Sequence, residues 1–283
     1  MRFYMMTDLE GVAGVYQWEN RDDDSIENYE RRMRQRTWLA EEVSAAADGL
    51  FTGGASEVIV NDGHGAGYTM DLDYADPRIE IIHGQQRPFW LPFLDETCDA
   101  TGIIGGHAKA FTPNANLCHT MSKAIRDWRF NGISMGEMGL QAAIAGHYGV
   151  PFVLCTGDAH ACREMDELIP GCVTVPVKWG MKEMSALTMP PSEAREAIRE
   201  GAERSLEAIG QVEPLDLGSP VHFHDERVEP TFDEENPGLF TVLDAHTREI
   251  EVENIIELMY TIYNYPRDWK PLSFVPAWKQ KQP

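Results

Sequence analysis

Acidic side chains stand close together near the beginning of the chain. Asp8 and Glu10 are two residues apart, directly after an apolar segment that predicts a first strand at residues 3–7. Residues i and i+2 of an extended segment face the same side, so both carboxylates can point into one pocket. On its own, such a pair is more typical of a solvated acidic loop, so further residues must decide.

Two histidines and a third carboxylate occupy comparable junctions. His64 and His107 each follow an apolar strand segment inside a glycine-rich turn, and Glu137 opens a predicted helix. In open α/β sheets, ligands bind outside the carboxyl ends of strands, where such loops converge. Imidazole and carboxylate without thiolate suit zinc or another divalent first-row metal. Five such residues exceed what one catalytic zinc needs. They fit two ions that share a carboxylate, activate a water and polarise a carbonyl.

A serine-hydrolase motif is present as an alternative. Residues 132–136 match G-x-S-x-G around Ser134, between a predicted strand and a helix. The preceding segment carries four charged residues, Lys123, Arg126, Asp127 and Arg129, whereas the strand before such a nucleophile is buried and apolar. Asn131-Gly132 also predicts a hairpin turn. A metal-free hydrolase that uses Ser134 is therefore the weaker hypothesis.

Other histidines and cysteines admit simpler interpretations. Cys118 and His119 are adjacent, and adjacent side chains diverge, so His119 is a better candidate for a lone catalytic base than Cys118 is for a nucleophile. His222 and His224 are more typical of the polar face of a strand than of a metal site. The five cysteines are odd in number and lack C-x-x-C spacing, which indicates free thiols.

Alternating strands and helices must position these residues. The pattern predicts strands at 3–7, 58–60, 79–82, 103–104, 124–130, 152–155 and 173–177, with helices at 26–51, 138–148 and 159–168. This predicts an α/β fold, with a mostly parallel sheet flanked by helices and carrying the metal site, over residues 1–185. A smaller α+β domain is predicted over 186–283, with a helix at 192–209, strands at 221–223 and 240–243, a helix at 252–263 and a Pro- and Lys-bearing tail.

The excess of acidic residues bears on which partners and substrates the protein can bind. The chain has 283 residues, of which 24 are Lys or Arg and 46 are Asp or Glu, for a net charge of −22. Such a chain repels phosphate, which argues against nucleic-acid and anionic-membrane partners, and it attracts substrates with a free ammonium group. Neither a signal peptide nor an apolar run of membrane-spanning length is recognisable, so we expect a cytoplasmic protein.

Five motifs, taken in order, resemble the DppA-like zinc D-aminopeptidase family. They are Asp-Leu-Glu-Gly at 8–11, Val-Asn-Asp-Gly-His at 60–64, Gly-Gly-His-Ala at 105–108, His-Thr-Met at 119–121 and Gly-Glu-Met-Gly-Leu at 136–140. Their order and spacing match over most of the α/β part, whereas the C-terminal half matches only in general layout. The sequence departs from the family at Met6, where the family has a serine two residues before its bridging aspartate.

The resemblance implies a site with two zinc ions per chain. Asp8 matches the bridging ligand, and the other expected ligands are Glu10, His64, His107 and Glu137, with Glu10 and His107 on one ion as the favoured arrangement. His119 matches a catalytic histidine that is not a ligand.

The resemblance also implies an activity and an assembly. The expected activity is hydrolysis of N-terminal residues, D-amino acids in particular, from short peptides or amino-acid amides with a free N-terminus. The expected assembly is a ring-like decamer around an internal channel, which restricts substrates to short peptides. A metal-dependent amidase or deacylase acting on another small amide stays an alternative, and so does a non-catalytic metal-binding protein.

Overall fold

The computed structural model of the chain describes residues 1–65 and 67–270. Its larger sheet has seven strands, all parallel to their neighbours except the last, which is antiparallel. In spatial order these strands are β3 (Glu80–Ile82), β2 (Glu57–Asn61), β1 (Arg2–Thr7), β4 (Ala100–Gly106), β7 (Phe152–Asp158), β8 (Val173–Lys182) and β9 (Ser185–Thr188).

Helices cover this sheet and bury its central strands. Every residue of β4 and β7 is buried, which explains why these segments are continuous apolar runs in the sequence. Helix α1 (Ile26–Thr52) packs against α4 (Pro191–Ser205), and α2 (Glu137–His147) packs against α3 (Ala159–Leu168). The predicted α/β fold with a mostly parallel, helix-flanked sheet is confirmed.

The smaller sheet is antiparallel and has five strands. In spatial order they are β11 (Thr241–Val242), β12 (Thr247–Val252), β10 (Val221–Arg227), β5 (Ile125–Phe130) and β6 (Ile133–Ser134). Asn131 and Gly132 both have positive φ and connect β5 to β6, so the predicted hairpin turn is confirmed. Strand β5 therefore belongs to this sheet and not to the parallel one. The division of the chain at residue 186 stays a prediction, and the strands of the smaller sheet come from both sides of it.

The start of the last helix differs from the prediction. Residues up to Val252 form β12, and α5 (Ile255–Tyr263) begins only after Asn254, whose side chain accepts hydrogen bonds from the backbone of Ile256 and Glu257. This side-chain cap fixes the helix start, which periodicity alone placed three residues too early. Of the tail predicted after this helix, residues 271–283 lie outside the described residues. In the described part of the chain, no helix has the length and apolar character that crossing a membrane requires.

Candidate metal centre

Three neighbouring strands end at the predicted ligands. Asp8 follows β1 directly, His107 follows β4 directly, and His64 lies three residues after β2. Strand β1 lies between β2 and β4, so the carboxyl ends of all three meet at one edge of the sheet. Glu10 lies in the turn after Asp8, and Glu137 is the first residue of α2. The structure thus brings together all five residues that the sequence predicts as ligands.

A close approach between the ends of β1 and β4 holds Asp8 beside His107. The backbone N–H of Asp8 donates to the Ile104 carbonyl at 2.8 Å, and that of Gly11 donates to the Gly105 carbonyl at 2.7 Å. Gly105 has a φ of +80°, and a Cβ there would lie 2.0 Å from the Asp8 carbonyl oxygen. Only glycine fits this position, because any side chain would push the two strands apart.

The side-chain atoms converge in two groups that Asp8 joins. His64 Nδ1 lies 3.0 Å from Asp8 Oδ1 and 2.9 Å from Glu10 Oε2. His107 Nε2 lies 3.0 Å from Asp8 Oδ2 and 3.4 Å from Glu137 Oε1. Glu10 therefore lies with His64, and not with His107 as the sequence-based arrangement expected.

These contacts fit metal ligands better than hydrogen-bond partners. Asp8 Oδ2, Glu10 Oε2 and His107 Nε2 are buried, and among the described residues none of them has a partner in hydrogen-bonding geometry. A buried polar atom without a partner costs about 1–3 kcal/mol, so three in one place require an explanation. Ligand atoms around a tetrahedral zinc at about 2.0–2.1 Å are separated by about 3.3 Å, close to the distances seen here. The donor set and its geometry therefore fit zinc.

The remaining ring nitrogens fix which atom of each histidine can bind a cation. His107 Nδ1 lies 3.0 Å from the Ala108 carbonyl and donates to it, which leaves the Nε2 lone pair free. His64 Nε2 lies 3.5 Å from Glu19 Oε2, so its proton faces Glu19 and Nδ1 faces Asp8 and Glu10. A carboxylate behind a metal-binding imidazole fixes its tautomer and raises its basicity. Sequence analysis missed Glu19, which lies in an irregular loop without a spacing signal.

The electrostatics of the cluster favour anionic carboxylates. Burial opposes ionisation of Asp8, but His107 and His64 outweigh it and hold the pKa of Asp8 well below its usual range. Burial likewise opposes ionisation of Glu137, yet His107 lowers its pKa. The neighbouring carboxylates in turn raise the pKa of His64 and of His107 against the effect of burial. The cluster is therefore built to hold positive charge.

His119 lies at the edge of this cluster. Its Nδ1 lies 3.0 Å from the Leu117 carbonyl and donates to it, and its Nε2 lies 3.6 Å from Glu137 Oε1. The ring stacks on His107 with 4.0 Å between centroids, and the Trp18 ring meets its edge at 5.2 Å. The neighbouring Cys118 thiol instead faces the Thr112 carbonyl, and burial raises its pKa, so the two residues form no dyad.

A buried lysine connects the Glu10 turn to the loop that carries His119. Lys178 Nζ donates to the Glu10 carbonyl, to the Val15 carbonyl at 2.6 Å and to Asn116 Oδ1 at 2.7 Å. Burial lowers the pKa of Lys178 to about 8. The Asn116 backbone N–H donates to Asp158 Oδ2 at 3.1 Å, so this loop is also fixed to the end of β7. Sequence analysis missed these residues, because they meet only in the folded chain.

Comparison with known proteins identifies the family. The profile of Peptidase M55, described as D-aminopeptidase, matches residues 1–261. A D-aminopeptidase of Bacillus subtilis (strain 168) is 32% identical over 217 residues, which is 76% of this chain and 77% of the relative. The chain belongs to the D-aminopeptidase family Peptidase M55.

A solved structure of a related protein has the same fold as this chain. It is described as the Zn-dependent D-aminopeptidase DppA from Bacillus subtilis, a self-compartmentalizing protease, and it superposes with a TM-score of 0.84. The two share 26% identity, and the match covers 97% of this chain and 100% of the other. Family membership supports a metallo-aminopeptidase over the other activities that the sequence left open.

Met6 stands where the family has a serine, yet hydrogen bonds from neighbouring residues still hold the turn that carries His64. Met6 is buried, and it lies against Gly63, where a Cβ would be 2.9 Å from the Met6 methyl carbon. The adjacent Thr7 hydroxyl accepts a hydrogen bond from the Gly63 backbone N–H at 3.2 Å. The backbone N–H of Leu9 donates to Asp8 Oδ1 at 2.8 Å. Thr7 and a backbone group therefore provide the hydrogen bonds on this side of the site.

The serine-hydrolase motif and the His222–His224 pair both lie in the smaller sheet. The Ser134 hydroxyl donates to Asp127 Oδ1 at 2.6 Å, within the β5–β6 hairpin. The serine of a catalytic triad would instead donate to a histidine. His222 lies opposite Glu251 across the β10–β12 pair, and His224 lies opposite Glu249. These histidines make cross-strand contacts with glutamates, as the polar-face interpretation predicts.

Proposed function

We propose that this protein is an aminopeptidase with two zinc ions per chain, which releases N-terminal D-residues from short peptides and amino-acid amides. One observation carries the proposal: five candidate ligand residues converge at three adjacent strand ends, and three of their buried atoms have no hydrogen-bond partner in the part of the chain that the structure describes. The family and the zinc dependence of the solved relative support the metal and the reaction.

The ligand residues divide between the two ions. Asp8 is proposed as the shared ligand, because its two oxygens face different histidines, His64 and His107. Glu10 joins His64 on one ion, and Glu137 joins His107 on the other. Bound zinc supplies polarisation of the scissile carbonyl and activation of water.

His119 is proposed as the residue that moves a proton. Its Nδ1 is engaged by the Leu117 carbonyl, so Nε2 is the atom that can exchange a proton with the reacting groups. Stacking on His107 and the edge contact with Trp18 hold the ring in place. Such a positioned group typically contributes about 10²–10⁴-fold to the rate.

The substrate and the assembly follow from charge and from the relatives. A free ammonium group is attracted to a chain of net charge −22. The D preference is proposed from the two D-aminopeptidase relatives. A ring-like decamer with the active sites facing an internal channel accords with the self-compartmentalizing description of the solved relative. We place the protein in the cytoplasm.

The test combines metal analysis with substrate pairs. Elemental analysis measures zinc per chain, and kcat/KM is compared for the D- and L-alanyl amides and their N-acetyl derivatives, before and after chelation. We expect about two zinc ions, loss of activity on chelation, and preference for the free D-amide. The His119→Ala variant is expected to keep its zinc and to lose turnover by about 100-fold or more.

Each part of the proposal can be contradicted by a different result. Activity that survives complete removal of the metal contradicts the zinc mechanism. Preference for the L-amide refutes the D selectivity and leaves the aminopeptidase standing. Preference for the acetylated substrate indicates a deacylase on the same site.

A further inference from the structure

A cavity of about 510 Å³ adjoins the ligand residues and is large enough for a short peptide. Asp8, His64 and Glu137 line it, and so do Arg87 and Trp90. Among the described residues that line the cavity, Arg87 alone carries a permanent positive charge. This is unexpected in so acidic a chain, beside a site that is itself built from carboxylates.

The Arg87 guanidinium is held by neutral oxygen atoms. Nε donates to the Gly84 carbonyl at 3.1 Å, Nη1 donates to Asn61 Oδ1 at 2.5 Å, and Nη2 donates to the Asp62 carbonyl. The Asp62 carboxylate is engaged elsewhere, by Met70 and His83. Within the described residues no carboxylate lies in ion-pair distance of Arg87, and burial lowers its pKa. In the described part of the chain, the nearby Asp62 carboxylate therefore acts on Arg87 only at a distance, and the guanidinium has no carboxylate in direct contact.

We propose that Arg87 binds the terminal carboxylate of a short peptide substrate. A guanidinium has five N–H groups, and the three hydrogen bonds to the protein leave two for a ligand. Its planar fork matches the two oxygens of a carboxylate, and a half-buried cation without a counter-ion gains most from such a ligand. The inference rests on the proposed aminopeptidase function and specifies its substrate class: peptides that end close to the scissile bond.

The position of Arg87 sets the length of the substrate. Arg87 donates to the carbonyl of Asp62, which lies two residues before the ligand His64. Two residues span at most about 7 Å, so the guanidinium lies within about 10 Å of the His64 backbone. Consecutive residues are about 3.8 Å apart between Cα atoms. A peptide whose scissile carbonyl lies at the metal centre therefore reaches Arg87 with one or two residues beyond that carbonyl.

The first test uses the unaltered zinc-loaded enzyme and varies only the substrate. D-Alanyl-D-alanine is compared with its C-terminal amide, which has the same size and the same scissile bond but lacks the negative charge. We expect kcat/KM to be about 10- to 100-fold higher for the free acid, mostly through KM, as is typical of a hydrogen bond to a charged group. Equal values for the two substrates would overturn the proposal.

The second test assigns the preference to Arg87. Arg87→Gln removes the charge and is expected to bring the acid-to-amide ratio of kcat/KM close to one, and Arg87→Lys is expected to retain part of the ratio. Arg199→Gln is the control, because it makes the same charge change at an arginine that pairs with Glu196 and Glu203 on helix α4. Its ratio is expected to equal that of the unaltered enzyme.

The outcomes separate this inference from the proposed function. If Arg87→Gln keeps its zinc and loses the same factor on both substrates, Arg87 only supports the loop, and the inference is wrong. If the acid preference persists in Arg87→Gln, another group binds the carboxylate, and the inference is wrong again. If the unaltered enzyme hydrolyses neither peptide in a zinc-dependent way, the proposed function is refuted instead.

Discussion

The contact between Glu19 and His64 leads to a prediction about one of the two proposed zinc ions. Glu19 Oε2 lies 3.5 Å from His64 Nε2, on the side of the ring opposite Asp8 and Glu10. Burial opposes ionisation of Glu19, but His64 and Arg21 outweigh it and lower the pKa of Glu19 to about 2. At neutral pH Glu19 is therefore ionised, and its carboxylate faces the Nε2–H group of His64 when Nδ1 binds zinc.

The expected effect of Glu19→Gln follows from these contacts. The amide has the same shape and can still accept a hydrogen bond, so only the charge behind the imidazole is lost. Loss of such an outer carboxylate typically costs about 10- to 100-fold in metal affinity. Glu19 also pairs with Arg21 at 2.7 Å and with Arg32 at 3.2 Å, which already neutralise part of its charge. We therefore expect the lower end, about 10-fold.

The assay measures zinc per chain across a series of buffered free-zinc concentrations, with activity followed in the same samples. Glu19→Gln is expected to lower the affinity for the ion that we propose at Glu10 and His64, and to leave the affinity for the ion proposed at His107 and Glu137 unchanged. Arg32→Gln is the matched control, because it breaks an ion pair of Glu19 and keeps the carboxylate facing His64.

Two results would refute this reasoning. Identical zinc-binding curves for Glu19→Gln and the unaltered protein would mean that the charge behind His64 is irrelevant to the metal. Equal weakening in Glu19→Gln and Arg32→Gln would mean that the ion pairs act by ordering the loop. In either case the inferred proton on His64 Nε2 would lose its support.

Three further predictions test other parts of the structure. Asp8→Asn should lower the affinity for both ions, because the two carboxylate oxygens face different ligand histidines, and full zinc occupancy by elemental analysis would contradict this. Ser134→Ala should keep kcat/KM within about twofold, because its hydroxyl donates to Asp127 in the β5–β6 hairpin, whereas an inactive variant would support the serine-hydrolase hypothesis. Burial raises the pKa of Glu42 from 4.5 to about 8, so the folded chain retains a proton that the unfolded chain releases in this range. Through that window Glu42 should therefore lower the free energy of unfolding as pH rises, by at most about 5 kcal/mol. Glu42→Gln should remove this contribution, which urea titrations of both proteins at the two ends of the window measure.

The convergence of the proposed ligand residues could be predicted from the sequence, because local rules govern their positions. Each of Asp8, His64 and His107 follows an apolar strand at or near its end, and the carboxyl ends of parallel strands meet at one edge of a sheet. The residue types then restrict the cation. The pairing of Glu10 with His64 was not predictable, because it depends on how the turns after β1 and β2 fold toward each other.

The supporting residues could not be predicted, because nothing in their spacing sets them apart. Lys178 lies more than 160 positions from the Glu10 carbonyl that it binds, and Asn116 lies in an irregular loop. Strand β5 has the alternation of any half-exposed strand, and only its pairing with β10 assigns it to the smaller sheet. Long-range hydrogen bonding decides these features, and a single sequence does not display it.

The net charge of the chain and the charge of its site have different consequences. A net charge of −22 sets the long-range field, which attracts cations and slows the approach of anions. Selectivity is decided at short range, where Arg87 is a cation in the cavity wall and Lys178 is a buried cation beneath the Glu10 turn. A zwitterionic peptide has an ammonium group for the long-range field and a carboxylate for the local guanidinium. The overall composition therefore indicates the ammonium group of such a substrate. Recognition of its carboxylate depends on which cations the fold places inside the cavity.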